Sequence, residues 1–232
     1  MTTEIAMDSN QKVVITGIGV VSPLGIGRKN FWNALLDGQS GIKKISCFDA
    51  STYPTQVAGE IRDFDPTDFM SHKSARRMDR SSQMILAAAR MAAEDARMGS
   101  GIDSSRAGVF AGTAVGGQGW AFREYDVFKD KGLKRINPFT AISTFPNASS
   151  AQISTRFGFK GPSDTISSGC VSTTVALGYA LENLRSGRLD VALVGGTEAP
   201  LSPGIFGAYC AARVMTAESE NPSRAPRPFD IR

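Results

Sequence analysis

From Val171 an apolar helical pattern runs to Arg185, Gly187 stops it, and an almost wholly apolar run, Leu189 to Val194, follows at once. A strand that is apolar at consecutive positions is buried on both faces, as in a parallel sheet covered by helices, whereas a half-solvated antiparallel sheet alternates. A second such run, Ala107 to Ala111 with Val109 and Phe110 at its centre, ends in the glycine-rich stretch Gly112 to Gly119. Ser81 to Met98 carries apolar residues at 84, 85, 88, 91, 92 and 96, the stripe of a helix lying on a sheet. Strand, helix and strand joined by short loops imply right-handed βαβ crossovers, and the chain reads as an α/β layered fold.

The remaining segments fit that frame. Lys12 to Thr16 is a β-branched run expected to be a strand, leaving through Gly17-Ile18-Gly19 and Ser22-Pro23-Leu24-Gly25. Arg28 to Leu36 reads as a helix stopped by Gly38 and Gly41, and Asn147 to Phe157 as a helix capped by Asn147 and closed near Gly158. Between Trp120 and Pro146 a charged helical stretch to Arg135 gives way to Asn137-Pro138-Phe139, where regular structure should break. The first glycine turn does not make a dinucleotide site. Ser22 stands at the third glycine position, and the acidic residue about 20 positions on, Asp37, falls at a helix end rather than a strand end. Gly17 and Gly19 are expected to serve a turn where backbones pack closely.

Composition narrows the function. The chain has 26 Lys and Arg against 22 Asp and Glu, a net +4 that is too weak an excess to argue for nucleic acid. Cys47, Cys170 and Cys210 lie far apart without a C-x-x-C pair, so neither a disulfide framework nor a metal site is indicated, and no cofactor is implied. Residues 1–11 have no apolar core of a secretory signal and are expected to be a disordered N-terminus preceding one domain, 12–232. No 18-residue apolar run suggests a membrane span, and a cytoplasmic location is expected.

Thr165 to Val175 places Cys170 between a short extended run and an apolar helix, among Ser, Thr and Gly side chains too small to shield it. A strand turning sharply into a helix presents the turn residue over the unpaired N–H groups of the first helical turn, where a thiolate is favoured. A buried structural cysteine is the alternative; the surrounding pattern favours a nucleophile. His72 is the one histidine, and it belongs to a basic cluster, so a Cys-His pair is disfavoured. Acyl transfer from a thioester, with its good leaving group, asks least of such a thiol. In His72 to Arg80, the cations Lys73, Arg76, Arg77 and Arg80 fall on one side at helical spacing. A solvated face and a docking patch for an acidic partner both satisfy that pattern.

Several segments, in order, resemble the β-ketoacyl-acyl carrier protein synthases, the condensing enzymes of fatty acid and polyketide synthesis. They are Val13 to Gly25, Arg76-Arg77-Met78-Asp79, Gly112 to Gly117, Phe157-Gly158-Phe159-Lys160-Gly161-Pro162, the Cys170 elbow, Asp190 to Glu198, and Asn221-Pro222 through Arg227-Pro228-Phe229-Asp230. The resemblance implies the N-terminal half of a thiolase-like α/β/α sandwich with a mixed, mostly parallel five-stranded sheet. It implies that Cys170 accepts an acyl chain, its backbone N–H contributing to the oxyanion hole. A malonyl thioester would then be decarboxylated and condensed to a β-ketoacyl product. It further implies substrate contacts at Val115, Gly116 and Phe139, although Val115 equally suits a plain core position. Lys73, Arg76 and Arg77 match the positions that hold the acidic carrier protein.

The resemblance also sets expectations about what is missing. The family's two histidines and lysine belong to its C-terminal half, which would begin after Arg232. The chain is therefore expected to load an acyl group but not to condense it alone, and to rely on a homodimer or a complementary half. Glu218 stands where a carrier-contacting arginine is frequent, and Ser168-Gly169-Cys170-Val171-Ser172 leans towards the polyketide-type relatives. A non-catalytic chain-length-type partner subunit and a thiolase acting on coenzyme A esters are the alternatives.

Overall fold

A computed structural model of the protein describes residues 12–231, so the expected disordered segment 1–11 lies outside the described residues. The first part holds the ribbons β1 (Val21–Ser22) with β2 (Gly25–Ile26), then helix α1 (Arg28–Leu36). A second ribbon, β3 (Lys43–Lys44) with β4 (Val57–Ala58), leads to the short helix α2 (His72–Ala75) and the long helix α3 (Arg80–Asp95). The layered part follows as β5 (Ala107–Gly112), α4 (Gln118–Lys131), α5 (Thr140–Ser143), α6 (Ala148–Phe157), β6 (Ser163–Ile166), α7 (Ser172–Arg185), β7 (Val191–Gly196) and α8 (Pro203–Ala211).

β5 is the centre of a parallel sheet, with β6 on one side and β7 on the other. All six of its residues are buried, as its unbroken apolar sequence requires. Alternate side chains enter two cores. Val109 and Ala111 pack with Leu193, with Ile85, Leu86 and Ala89 of α3, and with Ile153 of α6. Phe110 points the other way, onto Ala176 and Ala180 of α7 with Leu189, Val194 and Leu184. The period-two alternation of one strand thus builds helix, sheet and helix layers.

α3 starts where it does because Asp79 caps it. The buried Asp79 carboxylate accepts the Ser81 N–H at 2.8 Å and the Ser82 N–H at 3.2 Å, and both serine hydroxyls donate to it. α6 closes at Gly158 in the left-handed region (φ 69°), as expected, but Asn147 makes no side-chain cap.

The sheet has three strands among the described residues, all parallel, where the resemblance implies five of mixed direction. The Lys12 to Thr16 run lies outside any ladder, and Val14 and Ile15 are 73% and 82% exposed. β-branched residues favour extended backbone, yet a strand also needs an edge to pair with, and among the described residues no strand pairs with this run. The chain is anchored next door instead. Asp95 accepts the Ile18 N–H at 3.0 Å and the Arg28 guanidinium at 2.9 Å. Gly17 and Gly19 press so closely on the α3 backbone at Ala88, Ala92 and Ala96 that a Cβ on either would overlap it, so the expected close approach is what these glycines serve.

The α7 face turned away from the sheet is uncovered. Val171 is 55% exposed and Leu177 and Tyr179 are each 50% exposed, although the helix is largely apolar. Among the described residues no helix is long and apolar enough to cross a membrane.

Candidate active site

Cys170 stands at the carboxyl ends of the parallel strands, where β6 turns into α7. Open α/β sheets characteristically bind ligands at that end. The turn passes through Gly169 with φ +65°, and Val171 caps the helix without a side-chain bond. The Cys170 thiol is free and exposed, which sets it apart from a structural core cysteine.

The first turn of α7 is wedged against two strand ends. A Cβ on Gly112 would lie 2.7 Å from the Thr173 Cα, so only glycine allows β5 to end this close to the helix that carries Cys170. Ser172 is buried and ties the turn together, its Oγ accepting the Ser168 N–H at 2.8 Å.

The glycine-rich loop after β5 borders the same elbow. The Thr113 N–H donates to the Ile166 carbonyl at 3.1 Å, and the Ser167 hydroxyl donates to the Ala114 carbonyl at 3.2 Å. The loop that carries Val115 and Gly116 is thereby tied to the segment leading into Cys170, with Val115 half-buried and Gly116 buried with Pro146 against it. The loop is held from the far side by Glu198, just beyond β7. Its carboxylate accepts the Ala114 N–H at 2.6 Å, the Val115 N–H at 3.3 Å and the Thr113 hydroxyl at 3.0 Å.

Phe139 belongs to different surroundings. The Arg77 guanidinium stacks over its ring at 4.6 Å, so it packs with the basic segment. That segment is not one helical face. α2 ends at Ala75, Asp79 begins α3, and Arg80 turns inward to donate to the carbonyls of Phe64 (3.2 Å) and Ile61 (3.1 Å) while covering the Phe64 ring at 4.8 Å. Lys73, Arg76 and Arg77 remain exposed. Their segment is braced by the Asn137 side chain, which donates to the Arg76 carbonyl, and by the Ser143 hydroxyl, which donates to that of Arg77. Glu218 curls onto its own turn, accepting the Glu220 and Asn221 N–H groups at 2.8 and 3.2 Å. These bonds, that from Asn221 foremost, hold its carboxyl below the usual range.

Other features lie elsewhere. Partial burial, followed by the Glu60 charge, pushes the Cys47 thiol up, which makes it a poorer thiolate. A cavity of about 270 Å³ among Ala93, Met98, Ile102, Phe157 and Phe159 opens at the amino ends of the strands, opposite Cys170. No cluster of three His, Cys, Asp or Glu side chains among the described residues could hold a metal ion.

Comparison with known proteins fits this arrangement. Residues 10–231 match the family described as beta-ketoacyl synthase, N-terminal domain. The chain is 37% identical over 221 residues to 3-oxoacyl-(acyl-carrier-protein) synthase 2 of Coxiella burnetii, covering 95% of this chain and 53% of that protein. Among solved structures, the ishigamide ketosynthase/chain length factor superposes with a TM-score of 0.82 at 27% identity, covering 88% of this chain and 51% of that one. A type II polyketide synthase acyl carrier protein in complex with its ketosynthase bound to the hexaketide gives a TM-score of 0.73 at 25% identity, covering 86% and 54%. The chain spans about half the length of the curated relatives it matches.

Proposed function

The chain belongs to the β-ketoacyl synthase N-terminal domain family, and on that premise we propose that its domain, residues 12–232, is the acyl-accepting half of a β-ketoacyl-acyl carrier protein synthase. The observation that carries this reading is the exposed Cys170 thiol at the strand-to-helix turn beside the loop from Gly112 to Gly117. The Cys170 sulfur attacks the carbonyl of an acyl thioester held by an acyl carrier protein. The carbonyl oxygen takes up negative charge beside the Cys170 N–H, the carrier's sulfur leaves, and it takes the proton that the cysteine gave up. Val115 and Gly116 wall the acyl group, and Phe139, stacked with Arg77 of the basic segment, meets the substrate on the side where the carrier docks.

Condensation is the second half of the reaction. A malonyl thioester loses carbon dioxide, and the resulting enolate attacks the Cys170 thioester, freeing the thiolate and forming the β-ketoacyl product. By resemblance, the two histidines and the lysine for that step come from the family's other half, and a homodimer or a complementary half supplies the missing helical layer. Lys73, Arg76 and Arg77 dock the acidic carrier protein, in a cytoplasmic setting. The complex of a related ketosynthase with its acyl carrier protein supports that partner class.

Intact-mass measurement after incubation with an octanoyl-carrier protein tests the reading. The expected result is one acyl adduct that Cys170→Ala abolishes and that competing octanoyl-coenzyme A suppresses only weakly. No adduct under conditions that acylate a full-length relative would remove it, and a strong preference for the coenzyme A ester would favour a thiolase-like enzyme.

A further inference from the structure

Glu198 joins two segments 84 positions apart in sequence from Ala114, immediately past the ladder in which Gly112 pairs with Gly196. The next ladder bond, from the Thr197 N–H to the Gly112 carbonyl at 3.0 Å, fixes where Glu198 starts. Its side chain reaches across to the neighbouring strand's loop and takes both of the successive N–H groups of Ala114 and Val115. Thr113 extends the grip. Its hydroxyl donates to Glu198 and accepts the Gly116 N–H at 3.0 Å, so four consecutive loop residues are organised by one carboxylate.

The other side of the same loop faces the elbow. The Ser172 Oγ lies 3.2 Å from the Thr113 carbonyl oxygen, and Ser167 donates to the Ala114 carbonyl. The carbonyls of Thr113 and Ala114 are therefore turned to the Cys170 turn, and the N–H groups of Ala114 and Val115 to Glu198. A glycine-rich loop has many competing conformations, and bonds to a charged acceptor are the strong ones that select among them.

We propose that Glu198 is a positioning residue that clamps the loop from Thr113 to Gly116 against the Cys170 elbow and so fixes Val115 as a wall of the acyl-accepting site. This rests on the acyl-transfer reading above. Glu198 itself is exposed, so water can replace its carboxylate and the fold should survive its removal. What is lost is the selected loop conformation. A small electrophile needs only the thiol, whereas a chain of several carbons needs the wall as well.

The test uses the 232-residue chain with Glu198→Ala and Glu198→Gln. Amide hydrogen exchange is read over residues 112–117, and Cys170 modification is timed with octanoyl-pantetheine and with iodoacetamide. Glu198→Ala should speed loop exchange by about tenfold or more. It should also slow octanoyl transfer by about tenfold while iodoacetamide alkylation stays within about twofold. Glu198→Gln keeps length and one acceptor oxygen and should recover part of both. Unchanged exchange in Glu198→Ala would overturn the proposal, as would a parallel fall of both Cys170 reactions with a lowered melting temperature. Should the parent chain accept no octanoyl group, the acyl-transfer reading fails, and loop exchange with alkylation still decides whether Glu198 clamps the loop.

Discussion

Ser172, two residues beyond Cys170, accepts the Ser168 N–H at 2.8 Å and so closes a ring that spans Gly169, Cys170 and Val171. Its Oγ also lies 2.6 Å from the Gly169 carbonyl oxygen, and the residue is only 2% exposed. In Ser172→Ala the Ser168 N–H and the Gly169 carbonyl lose the hydroxyl that joins them, while the Gly169 carbonyl keeps the Ser172 N–H at 3.2 Å. The expected cost is about 0.5–1.5 kcal/mol of unfolding free energy, measured in urea. Because the ring spans Cys170, its iodoacetamide alkylation should change as well, whereas a serine removed far from the elbow, such as Ser105, should leave it unaltered.

The parts of this arrangement that are local were legible in the sequence. The unbroken apolar run at Ala107 to Ala111 and the helical pattern after Cys170 correspond to β5 and α7, because burial on both faces and a 3.6-residue period leave their mark within a few residues. Leu189 was a natural first strand residue by hydropathy, yet β7 begins at Val191. Its N–H bonds back to the Asn183 carbonyl, so it finishes the turn after α7 while its side chain fills the core. The basic cluster misled for a nearby reason. Helical spacing assumes one helix, and Asp79, followed by Ser81 and Ser82, is a capping signal that breaks it and sends Arg80 inward. Glu198 had no local signal at all, since its partners become neighbours only when β5 and β7 pair.

That break separates the exposed cations of the proposed carrier-docking patch from the inward-turned Arg80. Lys73→Glu with Arg76→Glu should weaken acyl carrier protein binding by about tenfold or more at low salt, with the loss shrinking as salt is raised, and should leave stability nearly unchanged. Arg80→Ala should do the reverse. It strips two carbonyls and the Phe64 ring of their partner and should cost about 1–2 kcal/mol in urea unfolding with little effect on carrier affinity. Equal losses of binding in the two variants would contradict the division.

Arg106 and Asp190 meet through a two-pronged ion pair, 2.6 Å and 2.5 Å, at the start of β5 and just before β7. The hydrogen bonds from Arg106, and then its charge, hold the Asp190 carboxyl below the usual range. A depressed folded-state value means that the contribution is complete above the unfolded-state value, about 3.9, and is lost as the pH falls through the lower folded one. The melting temperature of the parent chain should therefore drop more steeply below about pH 4 than that of Asp190→Asn, and the two curves should converge in strong acid. Parallel curves from pH 6 to pH 2 would show that the pair carries no linkage.

The uncovered face of α7 supplies the remaining prediction. Leu177 and Tyr179 are each half-exposed on the helix that carries Cys170, whereas Ala176 and Ala180 on its inner side are almost wholly buried. Apolar surface left in water costs about 25 cal/mol per Å², so a helix with both faces apolar and one of them bare favours self-association. Leu177→Lys with Tyr179→Lys should shift the isolated chain towards monomer in sedimentation velocity and lower its binding of an apolar fluorescent dye. The inner face is untouched by these substitutions, so the melting temperature of the monomer should hold. If the double variant instead associates as strongly as the parent, the sticking surface lies elsewhere, and the exposed aromatic side chains of α4, Phe122, Tyr125 and Phe128, are the next to replace.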